Sequence, residues 1–325
     1  MNNPRPKTLS LVIPAYNEEH SLPRLRAALE NWLPLQPWTT EAIIIDDGST
    51  DGTNLFLHQW AAEAAWLKVI RLSRNFGHQA ALTAGLDHAT GEVTVILDAD
   101  LQDPLEVIPE MVAKYCEGFD VVYGQRTKRQ GESGLKRATA WLFYRLMQKL
   151  ACQNLPPDTG DFRLVSQRCL QTVRSMRETH RFLRGMFSWV GFEQTACPYV
   201  RQERSAGQTK YSYRKMFQFA CDAIFSFSPF PLRVALIQGI LVAGFGLVYG
   251  LYSVLRWALV GDTVTGWPSL VVLLCVIGGS ILVALGLVGE YISRIYEELK
   301  KRPLYIISRK LNINEPDPHQ GSLLP

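Results

Sequence analysis

What this sequence lacks narrows its class first. Its six cysteines (Cys116, Cys152, Cys169, Cys197, Cys221 and Cys275) are scattered, with no CxxC pair and no metal-ligand spacing. That excludes a disulfide framework or a zinc module and points to a reducing compartment. Charge of one sign is also scarce: 34 basic against 30 acidic residues leave +4 over 325 residues, too little to mark a nucleic-acid binder. The start, Met1 to Lys7, leads only into the short apolar run Leu9–Pro14, which predicts no signal peptide. Neither GxGxxG nor GxxxxGK[ST] occurs, which argues against a dinucleotide-binding unit and a phosphate-loop nucleotidase. Charged residues at 20% and hydrophobic residues at 47% describe a folded chain, not a disordered or fibrous one.

Long apolar runs are present, and they crowd into the last third. Val234–Leu255 and Ser269–Gly289 contain no charge, and each is long enough to cross a hydrocarbon core of roughly 30 Å. The alternative is a buried hairpin in a large soluble core, which two adjacent runs of this length disfavour. Trp257 and Trp267 sit near the ends of the linker Arg256–Pro268, where aromatic belts lie. Arg233 precedes the first run; Arg294, Lys300, Lys301, Arg302, Arg309 and Lys310 follow the second. The positive-inside rule then makes both termini cytoplasmic and the short loop external. Gly239, Gly244, Gly246 and Gly250, with Gly278, Gly279 and Gly286, permit close helix packing within a hairpin, in a homo-oligomer, or in both.

The first two-thirds alternates short β-branched runs with helical patterns. Thr8–Ile13, Glu41–Asp46, Leu67–Leu72, Glu92–Asp98 and Phe119–Gly124 read as strands. Ser21–Trp32, Thr53–Ala65, His78–His88 and Leu105–Glu117 read as helices. The expected fold class is α/β, a Rossmann-like, mostly parallel sheet covered on both faces. Ligands of such sheets collect beyond the carboxyl ends of the strands. Polar clusters fall at those ends: Pro14-Ala15-Tyr16-Asn17-Glu18, Asp46-Asp47-Gly48-Ser49 and Asp98-Ala99-Asp100. Paired carboxylates two residues apart after a buried strand suit a hard divalent cation that bridges a diphosphate. A solvated turn is the bland reading of the same pair.

Four segments, VIPAYNEE (12–19), IIIDDGSTDGT (43–53), NFGHQAALTAGLDHATG (75–91) and LDADLQDP (97–104), carry a resemblance. Together they resemble the inverting family 2 glycosyltransferases. Within these the chain is similar to the branch that moves a sugar from a nucleotide onto a polyprenyl phosphate. That branch includes dolichyl-phosphate mannose synthases, bactoprenol glucosyltransferases and undecaprenyl-phosphate aminoarabinose transferases. The resemblance implies a GT-A fold, a nucleotide-sugar donor, a polyprenyl phosphate acceptor and a divalent metal, Mg²⁺ or Mn²⁺. It assigns Pro14, Tyr16, Asn17 and Glu18 to the nucleotide pocket, and Asp46 and Asp47 to the base and ribose. Helix capping at Thr53 is the alternative for that pair. Asp98, Ala99 and Asp100 take the donor and metal positions, with Gln102 as a further oxygen ligand. Arg126, after Tyr123-Gly124-Gln125, would face the diphosphate.

The same resemblance makes Asp158, in Pro156-Pro157-Asp158-Thr159-Gly160-Asp161, the expected catalytic base, with Asp161 as the second choice. A phosphate monoester has its second pKa near ~6 and is mostly dianionic at neutral pH, so orientation is an equally good role. Arg204, Lys210 and Ser212, in the basic loop from Arg201, are expected on the acceptor or diphosphate, with juxtamembrane lipid binding as the alternative. Basic amphipathic patterns over 135–150 and 211–230 suit the headgroup layer. His78 and His88 read as structural.

The domain expectation is a catalytic domain over 1–210, an amphipathic juxtamembrane helix over 211–232, a membrane hairpin over 233–290 and a basic tail over 291–325. UDP-glucose is the favoured donor, by analogy with two-span bacterial relatives, ahead of GDP-mannose and UDP-aminoarabinose. A non-catalytic membrane scaffold with the same fold is the different-class alternative. A processive polysaccharide synthase would want a QxxRW element and a larger membrane channel.

Overall fold

The computed structural model describes residues 3–126, 159–200, 230–260 and 266–313. In chain order these form β1 (Thr8–Ala15), α1 (Leu22–Trp32), β2 (Thr39–Asp46), α2 (Thr53–Glu63), β3 (Leu67–Leu72), α3 (His78–His88), β4 (Val93–Ile96), α4 (Ile108–Cys116) and β5 (Val121–Arg126). Then follow β6 (Thr159–Ser166), α5 (Gln167–Ser175), α6 (Leu183–Trp189), β7 (Gln194–Tyr199), α7 (Phe230–Val260), α8 (Trp267–Leu299) and β8 (Ile307–Leu311). The eight strands make one sheet in the order β7-β5-β6-β4-β1-β2-β3-β8.

Strands β1 and β4 are buried along nearly their whole length, as strands covered on both faces must be. On one face Leu9, Leu11, Ile13, Ala42 and Ile44 share a core with Leu22, Leu25 and Leu29 of α1, Trp60 of α2 and Ile108 and Met111 of α4. The other face carries α3. There Gly85 lies so close that a Cβ would collide with Val12 and Ile45. The expected parallel core is present: β4, β1, β2 and β3 run parallel to their neighbours in that set. Antiparallel pairing enters through β6, which lies between β4 and β5, and through β8.

Strand β8 departs from the expected basic tail. Helix α8 continues to Leu299, and Ile307–Leu311 then pairs with β3, with Arg71 opposite Arg309 and Val69 opposite Leu311. Beyond it Asn312, in the left-handed region at φ 58°, donates its amide to the carbonyls of Ala61 (2.7 Å) and Leu67 (2.9 Å). Tyr305 donates its hydroxyl to Asp87 at 2.8 Å, where Arg177 also binds. Charged edge strands of this kind carry little apolar pattern. Losing the Asn312 amide in Asn312→Ala should cost about 1–3 kcal/mol of sheet stability, read as a lower melting temperature.

The chain divides into two units: the sheet unit, which includes Pro303 onward, and a second one that holds α7 and α8 up to Arg302. Phe230–Arg256 and Val272–Leu299 are long and apolar enough to cross a membrane, with mean hydropathy 2.0 and 2.6. Between α7 and α8, Gln238 donates to Ser280 at 3.2 Å. A Cβ added at Gly239, Gly244, Gly246, Gly250, Gly278, Gly279 or Gly286 would meet nothing. The expected helices at 135–150 and 211–230 lie outside the described residues.

Candidate active site

The loops that leave β1 and β2 are tied into one wall. Asp47 N–H donates to Ala15 O (2.9 Å), Asn17 N–H to Ser49 Oγ (3.0 Å), and Glu18 N–H to Thr53 Oγ1 (2.9 Å). Asn17 returns the contact by accepting from Thr50 N–H at 2.9 Å. It sits at φ 53°, a conformation that asparagine tolerates better than most residues. Pro14 is buried inside β1 opposite Ile45. The Glu18 carboxylate accepts from the Ser21 hydroxyl at 2.6 Å. Tyr16 is 40% exposed, so its ring is open to a ligand.

The two aspartates after β2 differ in what they hold. Asp47 accepts from Phe76 N–H (2.8 Å) and Gly77 N–H (2.9 Å), which fastens the β3–α3 loop. Burial nonetheless pushes its carboxyl above the ordinary value. Asp46 accepts from Ser49 N–H at 2.8 Å through Oδ1. Its Oδ2 is buried without a hydrogen-bond partner, and the Arg71 Nε is 3.5 Å away. An unsatisfied buried acceptor costs about 1–3 kcal/mol, which a ligand N–H or hydroxyl would recover. Capping is left to other residues: Asp51 accepts from Thr53 N–H (3.0 Å) and Glu19 from Gly52 N–H (2.9 Å).

Asp98-Ala99-Asp100 directly follows β4. Leu101 is held at φ 55°, a strain of about 1–3 kcal/mol for a bulky residue, of the kind that clusters at functional loops. Asp100 Oδ1 accepts from Gln102 N–H at 3.2 Å, and Gln102 is buried. Burial pushes the Asp98 carboxyl up to about 6; the charges of Asp103, Asp161 and Asp100 add to this, against His78. Such a surplus of negative charge fits a divalent cation, which Asp98, Asp100 and the Gln102 amide oxygen of the same loop would hold. Among the described residues no three His, Cys, Asp or Glu side chains converge on a metal position. Two carboxylates completed by substrate oxygens is a normal Mg²⁺ arrangement.

The basic groups gather next to this loop, where the charges of His78 and Asp161 act on Asp98. Asp161 on β6 accepts from Arg184 Nε (2.8 Å) and Nη2 (2.9 Å), and its Oδ2 lies 3.2 Å from His78 Nε2. Burial works against its charge, but Arg184 and His78 hold its carboxyl well below the ordinary value. Arg163, buried beneath the Phe187 ring, donates to Gly160 O at 3.0 Å, and burial pushes it down to about 10. Arg126 donates to the Tyr199 hydroxyl at 3.3 Å, and Tyr199 donates in turn to Asp103. A Cβ on Gly160 would strike the Arg126 guanidinium.

Residues 10–174 match the family model for glycosyl transferase family 2, and residues 230–295 match the GtrB C-terminal hairpin. An uncharacterised glycosyltransferase of Bacillus subtilis is 45% identical over 94% of both chains. A prophage bactoprenol glucosyl transferase homolog of Escherichia coli is 40% identical, over 93% of this chain and 98% of its own. The bactoprenol glucosyl transferase of Shigella phage SfII is 39% identical, over 93% and 97%. The chain is a family 2 glycosyltransferase.

For a glycosyltransferase of this family the structure places Tyr16, Asn17, Glu18, Asp46, Asp47, Asp98, Asp100, Gln102 and Arg126 at the carboxyl ends of strands β1, β2, β4 and β5 and in the loops that follow β1, β2 and β4. Ala99 is buried within the carboxylate loop. Asp158, Arg204, Lys210 and Ser212 lie outside the described residues. The sequence reading missed Asp103, Tyr199 and Arg184, which act through long-range pairs. It took His78 and His88 for structural residues: His88 Nδ1 bonds Ala84 O at 2.8 Å, and His78 Nε2 lies 3.2 Å from Asp161 Oδ2.

Proposed function

We propose that this glycosyltransferase moves a sugar from a nucleotide-sugar, UDP-glucose, to a polyprenyl phosphate at the cytoplasmic face of a membrane, with inversion at the anomeric carbon. The observation that carries this reading is a carboxylate-rich nucleotide-type site in the same chain as two apolar helices of spanning length. The relatives named as bactoprenol glucosyl transferases support glucose and a C55-type lipid phosphate as the pair. Bound Mg²⁺ or Mn²⁺ would neutralise the departing diphosphate. In this reading Asp46 takes an N–H of the base or a ribose hydroxyl, and Arg126 faces the diphosphate. Arg204, Lys210 and Ser212 hold the lipid phosphate. Asp158 orients that phosphate for in-line attack or takes its last proton. Donor choice is tested by calorimetry with UDP and GDP in the presence of Mn²⁺: UDP should bind at least tenfold more tightly. Tighter GDP binding would replace the donor with GDP-mannose, and transfer from UDP-aminoarabinose alone would replace the sugar.

The β8–β3 pairing supports the topology. Segments before and after the hairpin belong to one folded sheet unit, so an even number of crossings returns the chain to the side it left. By the positive-inside rule the basic residues that flank the hairpin favour the cytoplasm for that side. A single cysteine at Asp262 should therefore react with an impermeant reagent on intact cells, whereas cysteines at Asp51 and Asn314 should react only after lysis. Labelling of all three on intact cells would overturn the orientation.

A further inference from the structure

Arg126 and the carboxylate loop after β4 are joined by one buried hydroxyl, that of Tyr199. Parallel pairing of β7 with β5 sets Tyr199 opposite Arg126, each the last residue of its strand. The Tyr199 ring packs edge-on against Phe162, with ring centroids 5.4 Å apart. Space for that ring exists because Gly124 has no side chain: a Cβ there would collide with both Phe162 and Tyr199. The ring is therefore held by packing between strands, and its hydroxyl has a fixed place at their carboxyl ends.

The direction of its hydrogen bonds is forced. A guanidinium nitrogen only donates, so the Tyr199 oxygen accepts from Arg126 Nε at 3.3 Å, and its own proton goes to Asp103. Asp103 is buried and belongs to the same loop as Asp98 and Asp100. Bonding through Nε uses neither terminal nitrogen of Arg126, and terminal guanidinium nitrogens suit phosphate oxygens. On the reading that Arg126 faces the diphosphate, we propose that Tyr199 is a positioning residue for this arginine. Its hydroxyl directs the guanidinium, and Asp103 directs the hydroxyl from the loop expected to hold the metal. Arginine and metal loop thereby keep a fixed relation, as two groups that grip one diphosphate must.

The test is a double-mutant cycle on the full-length protein in detergent, with UDP binding in Mn²⁺ followed by calorimetry. Arg126→Ala should weaken UDP about tenfold or more. Tyr199→Phe keeps the ring and removes only the hydroxyl; it should weaken UDP about fivefold or more and leave the acceptor KM within about twofold of wild type. Added to Arg126→Ala, it should weaken UDP by less than about a further twofold, because its effect runs through the arginine. Calorimetry reads stoichiometry and affinity separately, so any unfolded fraction of a variant lowers the first and leaves the second measurable. Wild-type UDP affinity in Tyr199→Phe, beside a weakened Arg126→Ala, overturns the positioning role alone. Losses that multiply in the double variant overturn it too, since Tyr199 would then act independently of Arg126. Wild-type affinity in Arg126→Ala overturns the diphosphate reading of that arginine, and this inference with it.

Discussion

Excess EDTA should abolish sugar transfer, and Asp100→Ala should lower kcat/KM by about a thousandfold, equivalent to roughly 4 kcal/mol of transition-state stabilisation. Asp100 lies on the strained loop after β4, not in the core, so the variant should keep a near wild-type melting temperature. Asp98 gives a second readout that does not depend on turnover. Its carboxyl is pushed up to about 6 by burial and by Asp103, Asp161 and Asp100. A raised folded-state value means that the ionised group opposes folding above about that pH. Without metal at pH 7, Asp98→Asn should therefore melt above wild type. Adding Mn²⁺ should raise the melting temperature of wild type and leave Asp98→Asn nearly unmoved. Full turnover in EDTA, or equal Mn²⁺ stabilisation of both proteins, would remove the metal from the account.

The effects of substituting Asp158 and Asp161 should separate cleanly. Asp158→Asn should lower kcat by about 10²–10⁴ and leave UDP binding intact. A defect that shrinks as pH rises would mark a proton acceptor, and a pH-independent one an orienting group. Asp161→Asn should act on stability, because it leaves Arg184 and His78 facing each other without their counter-charge, a loss of about 3–5 kcal/mol for a broken buried pair. Asp161 has a folded-state value well below its ordinary 3.8. Its contribution is therefore present above that ordinary value and is lost as pH falls below it. Wild type should lose melting temperature more steeply than Asp161→Asn over that acid range. Wild-type turnover in Asp158→Asn would sink that assignment and make Asp161 the next residue to test.

Strands β1, β2 and β4 could be read from the sequence because each holds an apolar run that ends in a polar cluster, and those clusters carry the candidate site residues. Asp98-Ala99-Asp100 stood out for the same reason. Strand β6 did not, because Asp161 and Arg163 interrupt its apolar pattern; Arg163 is tolerated only because Phe187 and the Gly160 carbonyl reach it from elsewhere. The contacts of Asp47 and His78 were hidden because their partners are distant in sequence. Asp47 is occupied by the N–H groups of residues 29 and 30 positions further on, and His78 by a carboxylate 83 positions away. Strand β8 was hidden by its charges, which suit an edge and resemble a tail.

The most direct measurement of the central claim is product analysis with purified protein, radiolabelled UDP-glucose, undecaprenyl phosphate and Mn²⁺. The account predicts a radiolabelled product that partitions with the lipid, depends on the phosphate of the acceptor, and carries glucose with its anomeric configuration inverted relative to the donor. Label that remains water-soluble with every nucleotide-sugar tried, or that joins undecaprenol as readily as undecaprenyl phosphate, would contradict it.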